Sequence, residues 1–258
     1  MSSFANASSF AASFLPAQSA EQSLTVERLP FTIRAVRSES DLLKAVRIRH
    51  SAYMRHVPGL AESLSEPEAM DHENGVVVLL AESRLDGSPL GSMRVQTNAY
   101  RPLTLERSVS LPEELANSSL AEATRLGVTA DRVGRMVKTA LFKAFFMYCQ
   151  QQNIEWMVIA GRSPIDRMYD RLLFADVYPE MGYIPLAHAG NMPHRIMSFE
   201  VGTARPRWEE AGHSLFDFVF MTNHPDIDVT VPAQQDFHHT IAAPAARLEE
   251  GAEELMLQ

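Results

Sequence analysis

Apolar and polar positions change their spacing several times along this chain, and each change predicts an element. Residues 31–36, FTIRAV, alternate as a strand does. In SESDLLKAVRIRHSAYMRH, Ser38 stands as an N-cap. Leu42, Leu43, Val46, Ile48 and Tyr53 follow at roughly helical spacing, until Pro58-Gly59 breaks the pattern. A polar, Glu-rich segment runs on to Asn74-Gly75. VVVLLAES (76–83) and PLGSMRVQTN (89–98) predict two strands, with a hairpin turn at Asp86-Gly87. Residues 102–119 predict an irregular connection with a turn of helix at Pro112-Glu113-Glu114. GRMVKTALFKAFFMYCQQQN is the clearest helix, with Val137, Ala140, Leu141, Ala144, Phe145 and Tyr148 on one stripe. IEWMVIAG (154–161) is continuously apolar, as a buried strand is. SPIDRMYDRLLFADV predicts a helix with Ser163 as N-cap and Pro164 at its first position. MGYIPLAH and HRIMSFEVG predict two more strands, PRWEEAGHSLFDFVFM a further helix, and NHPDIDVTVP leads into a charged end rich in Ala and Glu.

One stretch resists local assignment. SLAEATRLGVT (119–129) carries Glu122 and Arg125 inside a small and apolar run. Ser119 with Glu122 suits a helical capping box, whereas Leu126-Gly127-Val128-Thr129 suits a strand end. On a helix the two charges share a face as a surface ion pair of little weight. On a strand they point to opposite faces unless a bulge intervenes. The neighbours decide: a strong helix followed by a buried strand predicts a parallel crossover unit, which needs a strand before the helix. The stretch is therefore expected to be extended.

Charge adds to this picture. The chain of 258 residues has a formal net charge of −9, which argues against a general nucleic-acid binder. From Arg205 onward three basic residues face ten acidic ones, while from Arg125 to Lys143 five basic residues face only Asp131. Such a basic island is either a solvated helix face or a docking site for an anionic partner. The first 27 residues are rich in Ser and Ala and hold no Lys or Arg, which fits an extension without a targeting signal. No apolar run reaches membrane-spanning length, and the single Cys149 excludes an internal disulfide and fits a cytoplasmic protein.

The order of elements and the placement of charges resemble the GNAT acyltransferases. Within these they resemble the acyl-homoserine-lactone synthases and, more closely, the related N-acyl amino acid synthases. The resemblance runs from about residue 31 to 228 and rests on five short motifs in order. Arg49-His50-Ser51-Ala52-Tyr53 matches the early Arg-x-x-x-aromatic motif, Asp71 in MDHENG an acidic site, and Arg94 in GSMRVQTN the hairpin arginine. Glu122-Ala123-Thr124-Arg125-Leu126 matches the Glu-x-x-Arg strand motif, and RMYDRLLFADVYPEMGY the penultimate helix and turn; TNHPDIDV also looks like part of the synthase tail. Two departures favour a simple amine acceptor over the lactone synthases' S-adenosylmethionine. The aromatic Trp expected soon after the early arginine is replaced by MRHVPG, and Asp71 is followed by His72, Glu73 and Asn74 in place of a second aspartate.

The resemblance implies an α/β fold of GNAT type, a central mixed twisted sheet flanked by helices, over residues 29–203. It leaves an N-terminal extension over 1–28, expected to be disordered from its composition, and a helical or irregular C-terminal extension over 204–258 that packs on the domain and ends in a flexible acidic segment. It implies an N-acyltransferase that moves a long-chain fatty acyl group from an acyl carrier protein thioester to the α-amino group of an amino acid, tyrosine being the family's suggestion. Glu122 and Arg125 would be catalytic, Glu122 orienting the ammonium and helping to remove its proton. Backbone N–H groups near Leu126 to Val128 would polarise the thioester carbonyl. Arg49 and Arg94 would hold the acceptor carboxylate, with Tyr53 and Asp71 beside them. Without the resemblance, Glu122 is equally a structural ion-pair partner of Arg125 or Arg94, and both Arg49 and Arg94 are ordinary surface arginines.

Asp131-Arg132-Val133-Gly134-Arg135 opens the strongest helix, where free N–H groups form a phosphate site. A single glycine in this loop fits the one phosphate of a carrier-borne pantetheine better than the pyrophosphate of coenzyme A. Arg132, Gly134, Arg135, Lys138 and Lys143 are thus the expected carrier-docking residues, and no cofactor is expected beyond the acyl-carrier donor. Phe145, Phe146, Met147 and SLFDFVFM are ordinary core or the lining of an acyl slot, core being the simpler assignment. His213, His224, His238 and His239 show no metal-ligand spacing. No membrane span is expected, only peripheral contact through a lipid product. The alternatives are an acyl-homoserine-lactone synthase and a non-catalytic regulator that binds acyl carrier protein or lipid.

Overall fold

The computed structural model describes residues 24–231. The expected N-terminal extension up to residue 23 and the acidic end from residue 232, including His238 and His239, lie outside them. Among the described residues, no helix is long and apolar enough to cross a membrane.

The chain opens with a short strand, β1 (Thr25–Val26), and the alternating β2 (Phe31–Ala35), which buries Phe31, Ile33 and Ala35 completely. Helix α1 (Glu39–Met54) starts where Ser38 accepts a hydrogen bond from the Asp41 N–H at 3.2 Å. Pro58 then sits at the first position of a single turn, α2 (Pro58–Ala61), and a 3₁₀ turn covers Ala69–His72. The hairpin β3 (Val76–Ser83) and β4 (Pro89–Thr97) follows, then α3 (Glu113–Ala116). Residues 120–128 are extended as β5 (Leu120–Val128), so the ambiguous stretch is a strand. The long helix α4 (Arg132–Gln151) leads to β6 (Trp156–Gly161), which runs parallel to β5.

The second half departs from the pattern in detail. Helix α5 covers only Asp166–Arg171, so Ser163 and Pro164 precede it and are neither its N-cap nor its first residue. Next come β7 (Ala175–Asp176), β8 (Ile184–Leu186), a 3₁₀ turn at Ala187–Ala189 and β9 (Met192–Glu200). The single tail helix expected over 206–221 is α6 (Ala204–Glu210) followed by a separate π turn at Asp217–Met221. The strands β10 (Thr222–Asn223) and β11 (Ile227–Asp228) end the described chain.

The main sheet has the order β11-β2-β3-β4-β5-β6-β9-β7, with β8 pairing β9, and it mixes parallel and antiparallel neighbours. Helix α4 packs its stripe on one face, against Leu79, Met93, Val95 and Ala121. Helix α1 covers the other face, where Leu42, Ala45 and Val46 meet Val78 and Leu80. The tail returns over α4: Trp208 stacks on Phe142 with ring centroids 6.1 Å apart, and Phe220 meets Phe146 edge-on at 5.4 Å. Phe145 and Phe146 therefore belong to the core.

Candidate active site

The site lies where two parallel strands separate. Strands β5 and β6 pair only from Leu120 to Ala123, opposite Trp156 to Ile159, and β5 then continues to Val128 with no strand partner on that edge among the described residues. Its antiparallel pairing with β4 also shifts here. Arg94 faces Thr124 and Ser92 faces Gly127, so one extra residue is accommodated in β5, and Arg125 sits at φ +55°. The bulge answers the parity problem. Glu122 faces the same side as Arg94, and the extra residue returns Arg125 to that side, where both arginines bond Glu68. Helix α1 comes very close: a Cβ on Gly127 would lie 3.0 Å from the Arg49 Cα.

The gap holds a cavity of about 460 Å³, walled by the end of β5 (Ala123 to Val128), the end of α1 and the loop at 162–165. Its far side is formed by α5, His188, Ala189, Met192 and His194. Arg55, Arg125, Lys138, Arg162 and Arg171 line it, and among the described residues no Asp or Glu does. Burial lowers the Lys138 pKa, helped by the nearby charges of Arg171 and Arg135. Thr129 N–H bonds Leu90 C=O at 2.9 Å, so the alternation of a strand turns the Val128 peptide the other way, to the open edge. There its carbonyl accepts from Arg55.

Beside the cavity, three arginines converge on two acids. Arg49 grips Asp71 with two nitrogens, at 3.2 and 3.0 Å, and Glu68 at 3.0 Å. Arg94 reaches Glu68 at 3.0 Å and Asp71 at 3.3 Å, while Arg125 makes two bonds of 2.7 Å to Glu68. Burial works against ionising Glu68, but the Arg125 hydrogen bond and the charges of Arg94, Arg125 and Arg49 outweigh it and bring its pKa to about 2. Glu122 is the opposite case. It is completely enclosed, one oxygen accepts the Leu105 N–H at 3.2 Å, and the other has no partner. Burial therefore lifts its pKa to about 7, against the pull of Arg94 and Arg125.

Among the expected site residues, Tyr53, Arg125, Leu126, Val128 and Lys138 line the cavity. Arg49, Asp71 and Arg94 stand behind it, their charges engaged with one another and with Glu68. Arg132 and Arg135 are exposed on the first turn of α4. Two expectations need correction. Lys143 is buried and cannot meet a docking partner, because its ammonium bonds Phe218 O, Thr222 O and His224 Nδ1 at 2.8, 2.6 and 2.7 Å. The N–H groups opening α4 are not all free either, since the Asp131 carboxylate accepts from Gly134 N–H at 2.8 Å. Gly134 serves close packing instead: a Cβ there would lie 1.9 Å from the Thr129 carbonyl oxygen.

Glu68, Arg55, Arg162, Arg171, His188 and His194 were not visible as site residues in the sequence. Only Glu68 had a local signal, lying three residues before Asp71, whose carboxylate accepts the Glu68 N–H at 2.9 Å. Glu68 stands beside Asp71 and pairs with the same arginines, Arg49 and Arg94. His213 bonds the Arg171 carbonyl and His224 bonds Lys143. Among the described residues no three His, Cys, Asp or Glu side chains cluster to hold a metal.

A mixed sheet that splays between two parallel strands, with a bulge at the splay and a helix starting beside it, is a fold of GNAT type. The N-acyl amino acid synthase FeeM, from uncultured soil microbes, superimposes with a TM-score of 0.57 at 17% identity, over 73% of this chain and 97% of FeeM. The CoA-dependent acyl-homoserine lactone synthase BjaI, with S-adenosylmethionine and isopentyl-CoA, aligns at a TM-score of 0.49 and 17% identity, over 79% and 95% of the two chains. The ribosomal-protein-S18-alanine N-acetyltransferase of Escherichia coli aligns at 0.46 and 14%, over 66% and 94%. No protein-family model matches the chain, and no curated protein sequence matches it.

Proposed function

We propose that this protein is an N-acyltransferase that moves a fatty acyl group from a carrier-borne pantetheine thioester to the α-amino group of an amino acid. One observation carries the proposal: the cavity at the splay of β5 and β6 has cations around it, no acid among the described residues that line it, and the Glu122–Arg125 bulge beside it. The pantetheine arm would enter along the open edge of β5, with its phosphate near Lys138, Arg171 and Arg135. The peptide N–H of Val128 would polarise the thioester carbonyl. Asp131 already supplies an anion at the start of α4, which suits a donor with one phosphate better than one with a pyrophosphate.

The acceptor's carboxylate has a physical reason to come here. Among the direct ion pairs, three guanidiniums face two carboxylates, Glu68 and Asp71, and Glu122 makes no ion pair with them. That excess of one positive charge matches an amino acid's carboxylate, held by the cluster as a whole and not by Arg49 and Arg94 alone. Glu122 would take the first proton from the incoming ammonium through water, for which a carboxyl with one free oxygen and a pKa of about 7 is suited.

The test is to incubate the purified protein with a long-chain acyl carrier protein thioester, or the matching coenzyme A ester, and a panel of amino acids. A new N-acyl amino acid by mass spectrometry is the expected result, with faster turnover from the carrier-borne donor. Absence of any acylated amine would overturn the proposal. A second reading, a lactone synthase acting on S-adenosylmethionine, draws on the Glu68–Asp71 acid pair. An acyl-homoserine lactone in the same assay would select it.

A further inference from the structure

We propose that His188 is the base that takes the second proton in this acyl transfer, and that its imidazolium hands that proton to the departing thiolate. The inference rests on the function proposed above and deepens it. An ammonium acceptor must lose two protons on the way to an amide, one before attack and one as the C–N bond becomes an amide bond. Glu122 is a poor candidate for both. It does not line the cavity, and its enclosure leaves a single oxygen to work with. A group in the cavity wall is the nearest acceptor for the second proton, and among the described residues no carboxylate is there.

His188 is placed to do this. It sits on the 3₁₀ turn Ala187–Ala189, in the cavity wall opposite the β5 bulge. The turn is tied to the bulge, because Arg125 donates a long hydrogen bond of 3.4 Å to the His188 carbonyl. Its Nδ1 is buried and has no hydrogen-bond partner. That atom is enclosed, whereas Nε2 is not enclosed and makes no hydrogen bond, so Nε2 is the nitrogen that a substrate in the cavity can meet. Of the two other cavity histidines, His56 is exposed to solvent and His194 has its Nδ1 engaged with the Met192 carbonyl at 2.8 Å.

The charged and titratable groups that act on His188 are Arg125, His194, Arg94 and Arg107, none of them acidic. Burial and these cations together lower its pKa to about 4, so the imidazole is neutral across the working range and has a lone pair to offer. The balanced step is short. The neutral amine attacks the thioester carbonyl carbon, forming the C–N bond. The nitrogen passes its proton to His188 Nε2, the C–S bond breaks, and the thiolate takes that proton back. The products are an amide and a free thiol, and His188 is neutral again.

The experiment compares the full-length protein with His188→Asn and His188→Ala, using an acyl carrier protein thioester and the acceptor that the wild type acylates best. Both variants are expected to lose about 100-fold or more in kcat with the donor KM within about threefold of wild type. Their rate is expected to keep rising with pH where the wild type is level. Added imidazole is expected to restore part of the activity to His188→Ala and none to His188→Asn. A circular dichroism spectrum like that of the wild type confirms that the variants are folded. Variants that retain more than half of the wild-type kcat, or a His188→Ala that imidazole cannot rescue, overturn the inference and leave the proposed function standing. A wild-type protein that acylates no amine overturns both.

Discussion

Glu122 is a carboxyl group enclosed so completely that its charge is the least comfortable thing about it. Its folded pKa of about 7 exceeds the ordinary 4.5, so the folded state holds a proton that the unfolded chain has released between those values. The neutral form's stability is fully present below about pH 4.5 and is lost as the pH rises through about 7. Glu122→Gln is therefore expected to lower kcat at least 100-fold yet raise stability at pH 8, by the order of 3 kcal/mol. Denaturant unfolding at pH 5 and pH 8 checks the sign, since the gain should shrink at the lower pH. Glu68 behaves in reverse: its stabilisation is present above about pH 4.5 and lost as the pH falls towards 2. Glu68→Gln leaves three arginines facing Asp71 alone and is expected to cost about 3–5 kcal/mol in urea unfolding. At this scale the legible residues were those in a strand motif, Glu122 and Arg125. Glu68 and His188 lie in turns, where no period of apolar residues points to a facing side, so one acid or histidine looks like any other.

Among the elements, the crossover logic was sufficient to make 119–129 a strand, because a helix followed by a buried strand requires one before it. The bulge was not legible in the sequence. Arg125 has no glycine's tolerance of positive φ, and only the register with β4 reveals the extra residue. Lys143 was misplaced for a related reason. The stripe on α4 marks one buried face, but the returning tail buries a second, and nothing in the helix's own sequence says that another segment will cover it. Lys143→Ala removes bonds to two carbonyls and His224, and is expected to destabilise the fold by about 3 kcal/mol. Faster hydrogen exchange over 215–229 with an unchanged donor KM would show that the residue anchors the tail and does not dock a carrier. Gly134→Ala is expected to weaken donor binding, since its Cβ must push the Thr129 carbonyl out of the strand-to-helix turn.

For the molecule as a whole, the net charge of −9 hides a local reversal at the cavity, where cations gather without acids. Attraction of an acidic carrier to that mouth is screened by salt. KM for the carrier-borne donor is expected to rise severalfold between 50 mM and 500 mM NaCl, and KM for a short neutral thioester to stay level. A flat response for both would remove the electrostatic role of Arg135, Lys138 and Arg171. Finally, β11 lies alongside β2 although their residues are almost two hundred positions apart, Ile227 opposite Ile33. During synthesis the outer border of the sheet stays bare until nearly all of the described chain has left the ribosome. A nascent or clipped chain that stops near residue 203 offers that border to its own kind, so it is expected to accumulate in inclusion bodies where the intact chain is recovered in the supernatant.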